Sequence, residues 1–205
     1  MEERRKELLI IFYRNPVLGK VKTRLAATLG AEKALWIYNQ LAEHTQTMTR
    51  ELEVEKAVFY SDDIVLNDRW DDSIYSKYKQ QGVDLGERVH KAFSAANSRG
   101  NKSICIIGTD CLQLSASIIR SAFDALLEHD AVIGPALDGG YYLVGLSKCE
   151  LDIFYNKKWG TNTVCEDTIS DFMRLGLSYS VLPLLNDIDV ESDLPPSIKE
   201  VLIKI

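Results

Sequence analysis

Short aliphatic runs alternate with stretches of helical spacing along most of this chain. Leu8-Leu9-Ile10-Ile11-Phe12 is apolar at every position, the pattern of a strand covered on both faces. Asn15-Pro16 and Gly19 then signal a loop, and a helix is expected to start near Thr23. Gly30 breaks the helical region near its start. Beyond it Ala34, Leu35, Tyr38, Leu41, Ala42, Thr45 and Met48 fall on one amphipathic stripe. Further strands are expected at Ala57 to Tyr60, Ile104 to Ile107, Ala131 to Ile133, Tyr141 to Leu146 and Tyr179 to Leu184. Leu85, Val89, Ala92, Phe93 and Ala96 mark one helix. Ile118, Ile119, Ala122, Phe123 and Leu126 line another that runs from Ser115 to Glu128. Thr163, followed three residues later by Glu166, predicts a capping box for a helix ending near Gly176. The polar and aromatic stretch from Ser61 to Gly82 is expected to be irregular.

This alternation predicts an α/β sandwich with a mostly parallel sheet. The strands at Val132 and Tyr141 are too close for a helix between them, so at least one antiparallel or irregular pairing is expected. No repeat, long linker or low-complexity stretch divides the chain, and one domain over residues 1–205 is expected. Ligands of such sheets bind beyond the carboxyl ends of strands, which directs attention to the loops after Phe12, Tyr60, Ile107, Ile133 and Leu184.

The 205 residues carry 24 Lys+Arg against 30 Asp+Glu, a net charge of -6, with 46% hydrophobic and 26% charged residues. That balance is globular and argues against a general nucleic-acid binder. The apolar run at Leu8 to Phe12 is too short for a signal-peptide core or a bilayer span, so a cytoplasmic protein without membrane partners is expected. Cys105, Cys111, Cys149 and Cys165 show no C-x-x-C spacing, and His44, His90 and His129 lie far from them, which weakens zinc and haem readings. Cys105, inside an apolar run, reads as a small buried hydrophobe.

Between Ile10 and Ala31 this acidic chain has no Asp or Glu, yet it holds Arg14, Lys20, Lys22 and Arg24 around Pro16 and Gly19. Cations beside a glycine loop after a first strand suit a nucleotide's phosphates, although neither a Walker A nor a dinucleotide fingerprint is present. Asp110, in Gly108-Thr109-Asp110 at a strand end, is placed to hold a hard cation against phosphates, or else to cap a turn. One carboxylate rarely holds Mg²⁺ alone, and Asp187-Ile188-Asp189 after the last strand supplies a second. Asp138-Gly139-Gly140-Tyr141-Tyr142 forms an open turn between two strands where a sugar-sized ligand could lie, and Trp159-Gly160-Thr161 offers a ring for stacking.

These segments occur in a recognisable order. Phe12-x-Arg14-x-Pro16-x-x-Gly19-x-Val21-Lys22-Thr23-Arg24-Leu25 is followed by Asp84-Leu85-Gly86-Glu87-Arg88, then Gly108-Thr109-Asp110-Cys111 and Gly134-Pro135-Ala136-x-Asp138-Gly139-Gly140-Tyr141-Tyr142. Trp159-Gly160-Thr161 and Asp187-Ile188-Asp189 complete the series. The chain thereby resembles a bacterial glycosyltransferase-like family with the nucleotide-diphospho-sugar transferase (GT-A) fold. It is more distantly similar to 2-phospholactate guanylyltransferases and molybdenum-cofactor guanylyltransferases. The resemblance spans about Leu8 to Leu194 and implies a Rossmann-like three-layer α/β/α sandwich. It implies Arg14, Lys20, Lys22 and Arg24 at the phosphates, and Gln81, Asp84, Leu85 and Gly86 at the nucleobase. Asp110 would be the principal ligand of Mg²⁺ or Mn²⁺, with Asp189 or Asp187 as the second. Asp138, Gly139, Gly140, Tyr141, Trp159 and Thr161 would face the sugar or acceptor. Lys22 and Asp138 are the candidate catalytic residues, with Asp138 orienting or deprotonating the acceptor. Two features depart from the family pattern: Leu112 stands where a proline usually follows Gly-Thr-Asp-Cys, and no Asp-x-Asp occurs at this strand end. The implied activity is a metal-dependent transfer from a nucleotide-sugar or NTP donor to a small-molecule acceptor. Glycosyl transfer leads, nucleotidyl transfer is the alternative, and a non-catalytic nucleotide-binding module is a further one.

Overall fold

The fold was analysed on a computed structural model that describes residues 6–148, 152–155 and 157–203. Cys149 lies outside them.

One sheet organises the described residues. Its strands are β1 (Glu7–Tyr13), β2 (Glu55–Tyr60), β3 (Ser76–Lys79), β4 (Ser103–Ile107), β5 (Ala131–Pro135), β6 (Tyr141–Leu146) and β7 (Tyr179–Val181), in the spatial order β3-β2-β1-β4-β6-β5-β7. Every pairing is parallel except those of β6, which runs antiparallel to both β4 and β5. That reversal is the one expected from the short connection between the Val132 and Tyr141 strands. The ladder shifts register at Gly134/Pro135, where proline offers no N–H to the partner strand.

The helices are α1 (Thr23–Leu29), α2 (Ala31–Arg50), α3 (Leu85–Ser98), α4 (Ala116–Glu128), α5 (Val164–Arg174) and α6 (Pro196–Leu202). Alternate strand residues face opposite layers. Leu9, Ile11 and Tyr13 of β1 join Val58, Tyr60, Cys105 and Ile107 beneath Tyr38 and Ala42 of α2 and Ile119, Ala122 and Phe123 of α4. Leu8, Ile10, Ala57, Phe59, Ile104 and Ile106 face the opposite layer, where Val89, Ala92 and Phe93 of α3 meet Phe172 of α5. The result is the expected α/β/α sandwich. A third cluster places Leu25 of α1 and Ile37 and Leu41 of α2 against Ile188, Leu194 and Leu202, so the chain's last segment is held beside the loop after β1.

Four expectations are corrected. The stretch from Ser61 to Gly82 contains β3, an edge strand whose Lys77 pairs with Asp68 and Asp72. The last strand stops at Val181. Leu85, counted on the apolar stripe of α3, is 46% exposed. Thr163 makes no capping bond to α5; its hydroxyl donates to the Asp167 carboxylate instead. Helix α6 carries no apolar run strong enough to mark it and went unpredicted. Cys105 is fully buried, as its apolar surroundings implied, and burial pushes its thiol pKa up.

Candidate active site

Crossover connections diverge at β1 and β4, the neighbouring parallel strands at the centre of the sheet: β1 leads outward to β2, whereas β4 leads toward β5 and β6. The crevice at such a switch point is where doubly wound sheets take their ligands. A cavity of about 540 Å³ opens there. It draws Arg14, Lys22 and Arg24 from the loop after β1 and the start of α1, Thr109 and Asp110 from the end of β4, and Asp189 from the last segment.

Lys22 lies at the centre of this arrangement. Its Nζ is 2.7 Å from Asp110 Oδ1 and 2.9 Å from Asp189 Oδ1, and its side chain is only 6% exposed. Burial acts to lower the Lys22 pKa, but the two carboxylates outweigh it, so the ammonium is held above its ordinary value. The backbone reinforces the placement. Lys22 is the residue preceding α1, at φ 46° and ψ 49°, a left-handed conformation that costs a side-chain-bearing residue about 1–3 kcal/mol. Arg24 Nη1 stands 3.7 Å from Asp189, a looser and more exposed pair.

The carboxylates are positioned independently of the lysine. Ile188 N–H donates to the Asp110 carbonyl at 2.9 Å, tying the last segment to the loop after β4. Ile188 is buried against α1 and α2, so in this extended stretch Asp187 and Asp189 turn the other way. Asp193 fixes the register by accepting from the N–H groups of Asp189 and Val190. Behind the basic loop, the Tyr38 hydroxyl donates to the Arg14 carbonyl at 2.7 Å and accepts from its N–H. Burial raises the Tyr38 pKa, so the phenol stays neutral and keeps both bonds.

A second cavity, about 240 Å³, adjoins the first and shares Phe12, Leu85 and Asp110 with it. Val89, Ile106, Cys111, Tyr141, Tyr142 and Asp187 help to line it. Burial, with Asp110 and then Asp138 adding to it, pushes the Asp187 carboxyl up to about 7. Burial and the nearby Asp187 push the Cys111 thiol up to about 12, so it is no thiolate nucleophile.

Several expected residues stand elsewhere. Lys20 is exposed and outside both cavity linings; only its carbonyl takes part, accepting from Arg14. Gln81 is likewise exposed, and its neighbour Gln80 lines the larger cavity. Asp84 and Leu85 do line it, with Asp84 also capping α3 by accepting from Glu87 N–H at 2.8 Å. Gly86 is a packing glycine: a Cβ there would stand 2.3 Å from the Trp159 indole nitrogen. Trp159 meets Tyr141 edge-on at 6.3 Å and lines neither cavity. Asp138 is exposed outside both linings, where its Oδ1 accepts from Gly140 N–H. Gly139, at φ +87°, is pressed against the Asn162 backbone. Thr161 is exposed and donates to the Lys158 carbonyl.

Arg88 escaped the sequence reading as a ligand-facing residue. It lies one helical turn beyond Asp84, which is the spacing that returns a side chain to the same face. It donates to the Gly82 carbonyl at 3.1 Å and adds a fourth cation to the larger cavity.

Among the described residues, no group of three or more His, Cys, Asp and Glu is assembled as a metal site. Asp110 and Asp189 nevertheless converge on one cationic point, the Lys22 ammonium, through oxygen donors of the kind that hard divalent ions prefer. Lys22 occupies that point itself, so it is the remaining oxygens of the two carboxylates that would suit Mg²⁺ or Mn²⁺, completed by phosphate and water oxygens.

Residues 40–161, more than half of the chain, match the family described as "Uncharacterized protein conserved in bacteria (DUF2064)". The chain belongs to that family. Among curated proteins none matches its sequence. Among solved structures it is similar to a provisionally named nucleotide-diphospho-sugar transferase from Desulfovibrio desulfuricans G20, at 27% identity and a TM-score of 0.84 over 98% of this chain and 94% of that one. Two further structures share the fold. The inositol-1-phosphate CTP transferase of T. maritima has 13% identity and a TM-score of 0.60 over 100% of this chain and 97% of that one. A cytidylyltransferase from Leptospira borgpetersenii serovar Hardjo-bovis has 13% identity and a TM-score of 0.56 over 98% and 95%. The fold is thus that of the nucleotide-diphospho-sugar transferases, and the chain is an enzyme of the transferase kind. No helix among the described residues is long and apolar enough to cross a membrane.

Proposed function

We propose that this enzyme transfers a group from a nucleotide donor to a small-molecule acceptor with the aid of Mg²⁺ or Mn²⁺, and that the group is a glycosyl unit of a nucleotide-sugar. The observation that carries this reading is the larger cavity, where Arg14, Lys22, Arg24 and Arg88 face Asp110 and Asp189 at the switch point of the sheet. Four cations in one polar crevice suit a diphosphate. Asp110 and Asp189 carry two negative charges against the single charge of Lys22 between them, and a divalent ion would offset the remainder where a diphosphate approaches.

In this reading Arg14, Arg24 and Arg88 bind the diphosphate, and Lys22 stabilises the charge that grows on it as the bond to the transferred group breaks. Lys22 suits that task because Asp110 and Asp189 already hold its ammonium in place, so little reorganisation is needed. Asp110 and Asp189 would hold the divalent ion. When bound, that ion would supply further positive charge to the leaving diphosphate. Gln80, Asp84 and Leu85 also line the cavity and in this reading would face the nucleoside. In glycosyl transfer the acceptor oxygen forms a bond to the anomeric carbon, the carbon–oxygen bond to the diphosphate breaks with its electron pair, and the acceptor's proton passes to a carboxylate or water. Nucleotidyl transfer, favoured by the lone Asp at the end of β4, would instead place the α-phosphorus of an NTP at the same cations.

Isothermal titration of UDP, GDP, CDP and ADP with and without MgCl₂ tests the donor reading. At least one is expected to bind more tightly with Mg²⁺, and Asp110→Asn to abolish that enhancement. Binding that is indifferent to Mg²⁺ in the native protein would overturn the metal assignment, and failure of every nucleotide to bind would overturn the donor class.

A further inference from the structure

Arg14 is the first residue past β1, and the ladders that hold that strand end before it. The last β1–β4 pair is Ile11 with Ile107, and the last β1–β2 pair is Tyr13 with Tyr60. The main-chain N–H and C=O of Arg14 therefore need a partner from outside the sheet. One atom of α2 serves both. The Tyr38 hydroxyl donates to the Arg14 carbonyl at 2.7 Å and accepts from the Arg14 N–H at 3.0 Å. It also accepts from the Thr109 hydroxyl at 3.4 Å, beside Asp110 at the end of β4. A phenol has one hydrogen to give and two lone pairs to receive, so these three partners use its whole capacity.

The ring that carries this hydroxyl is fixed in place. Tyr38 is 3% exposed and stacks on Tyr13 with 6.0 Å between ring centroids. Tyr13 in turn meets Tyr60 and Trp70 edge-on. The Arg14 side chain is the opposite case. Arg14 is exposed, and its guanidinium reaches the Lys20 carbonyl at 3.4 Å, a long contact. Its place in the larger cavity is thus set by its backbone more than by its own head group.

We infer that Tyr38 is a positioning residue of the donor site: its hydroxyl fixes the Arg14 main chain, and through it holds the guanidinium where the donor's diphosphate binds, without touching the donor. This rests on the donor reading above and deepens it. Tyr38 lines the larger cavity, but a hydroxyl with every bond in use has none to offer a ligand. Its contribution is preorganisation, because a cation already in place needs less ordering when the diphosphate arrives. Through Thr109 the same hydroxyl ties the loop after β4 to the loop after β1, so the carboxylate and cation sides of the cavity share one anchor.

The test is a double-mutant cycle on the full chain, titrated with MgCl₂ and the best-binding of UDP, GDP, CDP and ADP. Tyr38→Phe keeps the ring and its stacking and removes only the hydroxyl. It is expected to weaken the nucleotide about fivefold, and Arg14→Ala about tenfold or more. The double variant is expected to match Arg14→Ala within about twofold, because the hydroxyl has no guanidinium left to place. Urea denaturation supplies the contrast: Tyr38→Phe is expected to lower the midpoint equally in both backgrounds, since the Arg14 N–H and C=O lose their partner in each. A double variant weakened about fiftyfold, the product of the two losses, would mean that the hydroxyl acts on the ligand or on the fold at large, and overturns the inference. So does a Tyr38→Phe or an Arg14→Ala variant that binds as the native chain does. Amide exchange of the native protein needs no variant and reports even if Tyr38→Phe misfolds. The Arg14 N–H is expected to be protected before any nucleotide is added; protection that arises only with nucleotide overturns the preorganised contact. Failure of every nucleotide to bind the native chain overturns the donor reading and the inference with it.

Discussion

Replacing Asp187 by asparagine is expected to shift the stability difference in the variant's favour as pH rises. The Asp187 carboxyl is pushed up from its ordinary 3.8 to about 7. Burial is the largest cause, and the charges of Asp110 and Asp138 add to it. The folded chain therefore keeps this proton up to about pH 7, whereas the unfolded chain releases it near pH 4. A raised acid pKa means that folded-state stability is lost as pH rises through the interval. Below about pH 4 both states hold the proton and nothing is lost. Between about pH 4 and 7 the loss accumulates at roughly 1.4 kcal/mol per pH unit, and above pH 7 it levels off at a total of about 4 kcal/mol. Asparagine keeps the shape and never ionises, so its variant escapes that slope. Its amide adds a donor that must find a partner, at a cost of about 1–3 kcal/mol that does not depend on pH. The diagnostic quantity is thus the slope of the difference. Urea denaturation of both proteins at intervals from pH 4.5 to 8 should show the variant gaining steadily on the native chain up to about pH 7, then running parallel to it. A difference that stays flat, or narrows as pH rises, would refute the assignment of a protonated, desolvated carboxyl.

Three other changes test separate parts of the structure. Lys22→Met, which keeps an apolar stem and removes the ammonium between Asp110 and Asp189, should weaken nucleoside diphosphate binding by about 1–3 kcal/mol in titration; unchanged affinity would make the pairing incidental to binding. Gly86→Ala drives a methyl to within 2.3 Å of the Trp159 indole nitrogen and 2.6 Å of the Phe154 carbonyl, and should cost about 1–3 kcal/mol of stability in denaturant titration. Asp84→Ala removes the acceptor for Glu87 N–H at the start of α3, with an expected loss of about 1 kcal/mol by the same measurement.

The central strands were legible because both faces of each are covered. Leu8 to Ile11 and Ile104 to Ile107 leave no polar position to mislead a reader. The edge strand β3, Ser76-Lys77-Tyr78-Lys79, was not legible, since Lys77 is covered by pairing with Asp68 and Asp72 instead of by apolar packing, and Lys79 is exposed. The loop cations, Asp110 and Asp189 were found from charge and position along the chain, and the structure gathers Arg14, Lys22 and Arg24 with both carboxylates. Gln81 and Gln80 show where that reading stops: side chains alternate just past β3, so an error of one residue moves the chosen amide from the cavity to solvent. Arg88 was missed because its proximity to Lys22 comes from folding α3 across the sheet, which no local spacing records. The difference between Asp187 and Asp189 was equally hidden. Both follow the same strand, and only three-dimensional packing leaves one carboxyl on a lysine and the other desolvated.

The reversed course of β6 has a consequence for how relatives of this chain can diverge. In a wholly parallel sheet the rim above the carboxyl ends is made of loops, and new specificities arise by lengthening or trimming them. Here one stretch of that rim is the beginning of a hydrogen-bonded strand, paired with β5 at Tyr141 and with both β4 and β5 from Leu143 on. An insertion at Tyr141 would disturb its pairing with Pro135 of β5, and one from Leu143 on would shift the pairing of two neighbours at once. Variation on that wall is thus confined to exchanging side chains on a stiff support, while on the opposite rim the segment from Pro16 to Lys20 is exposed and lies outside every ladder.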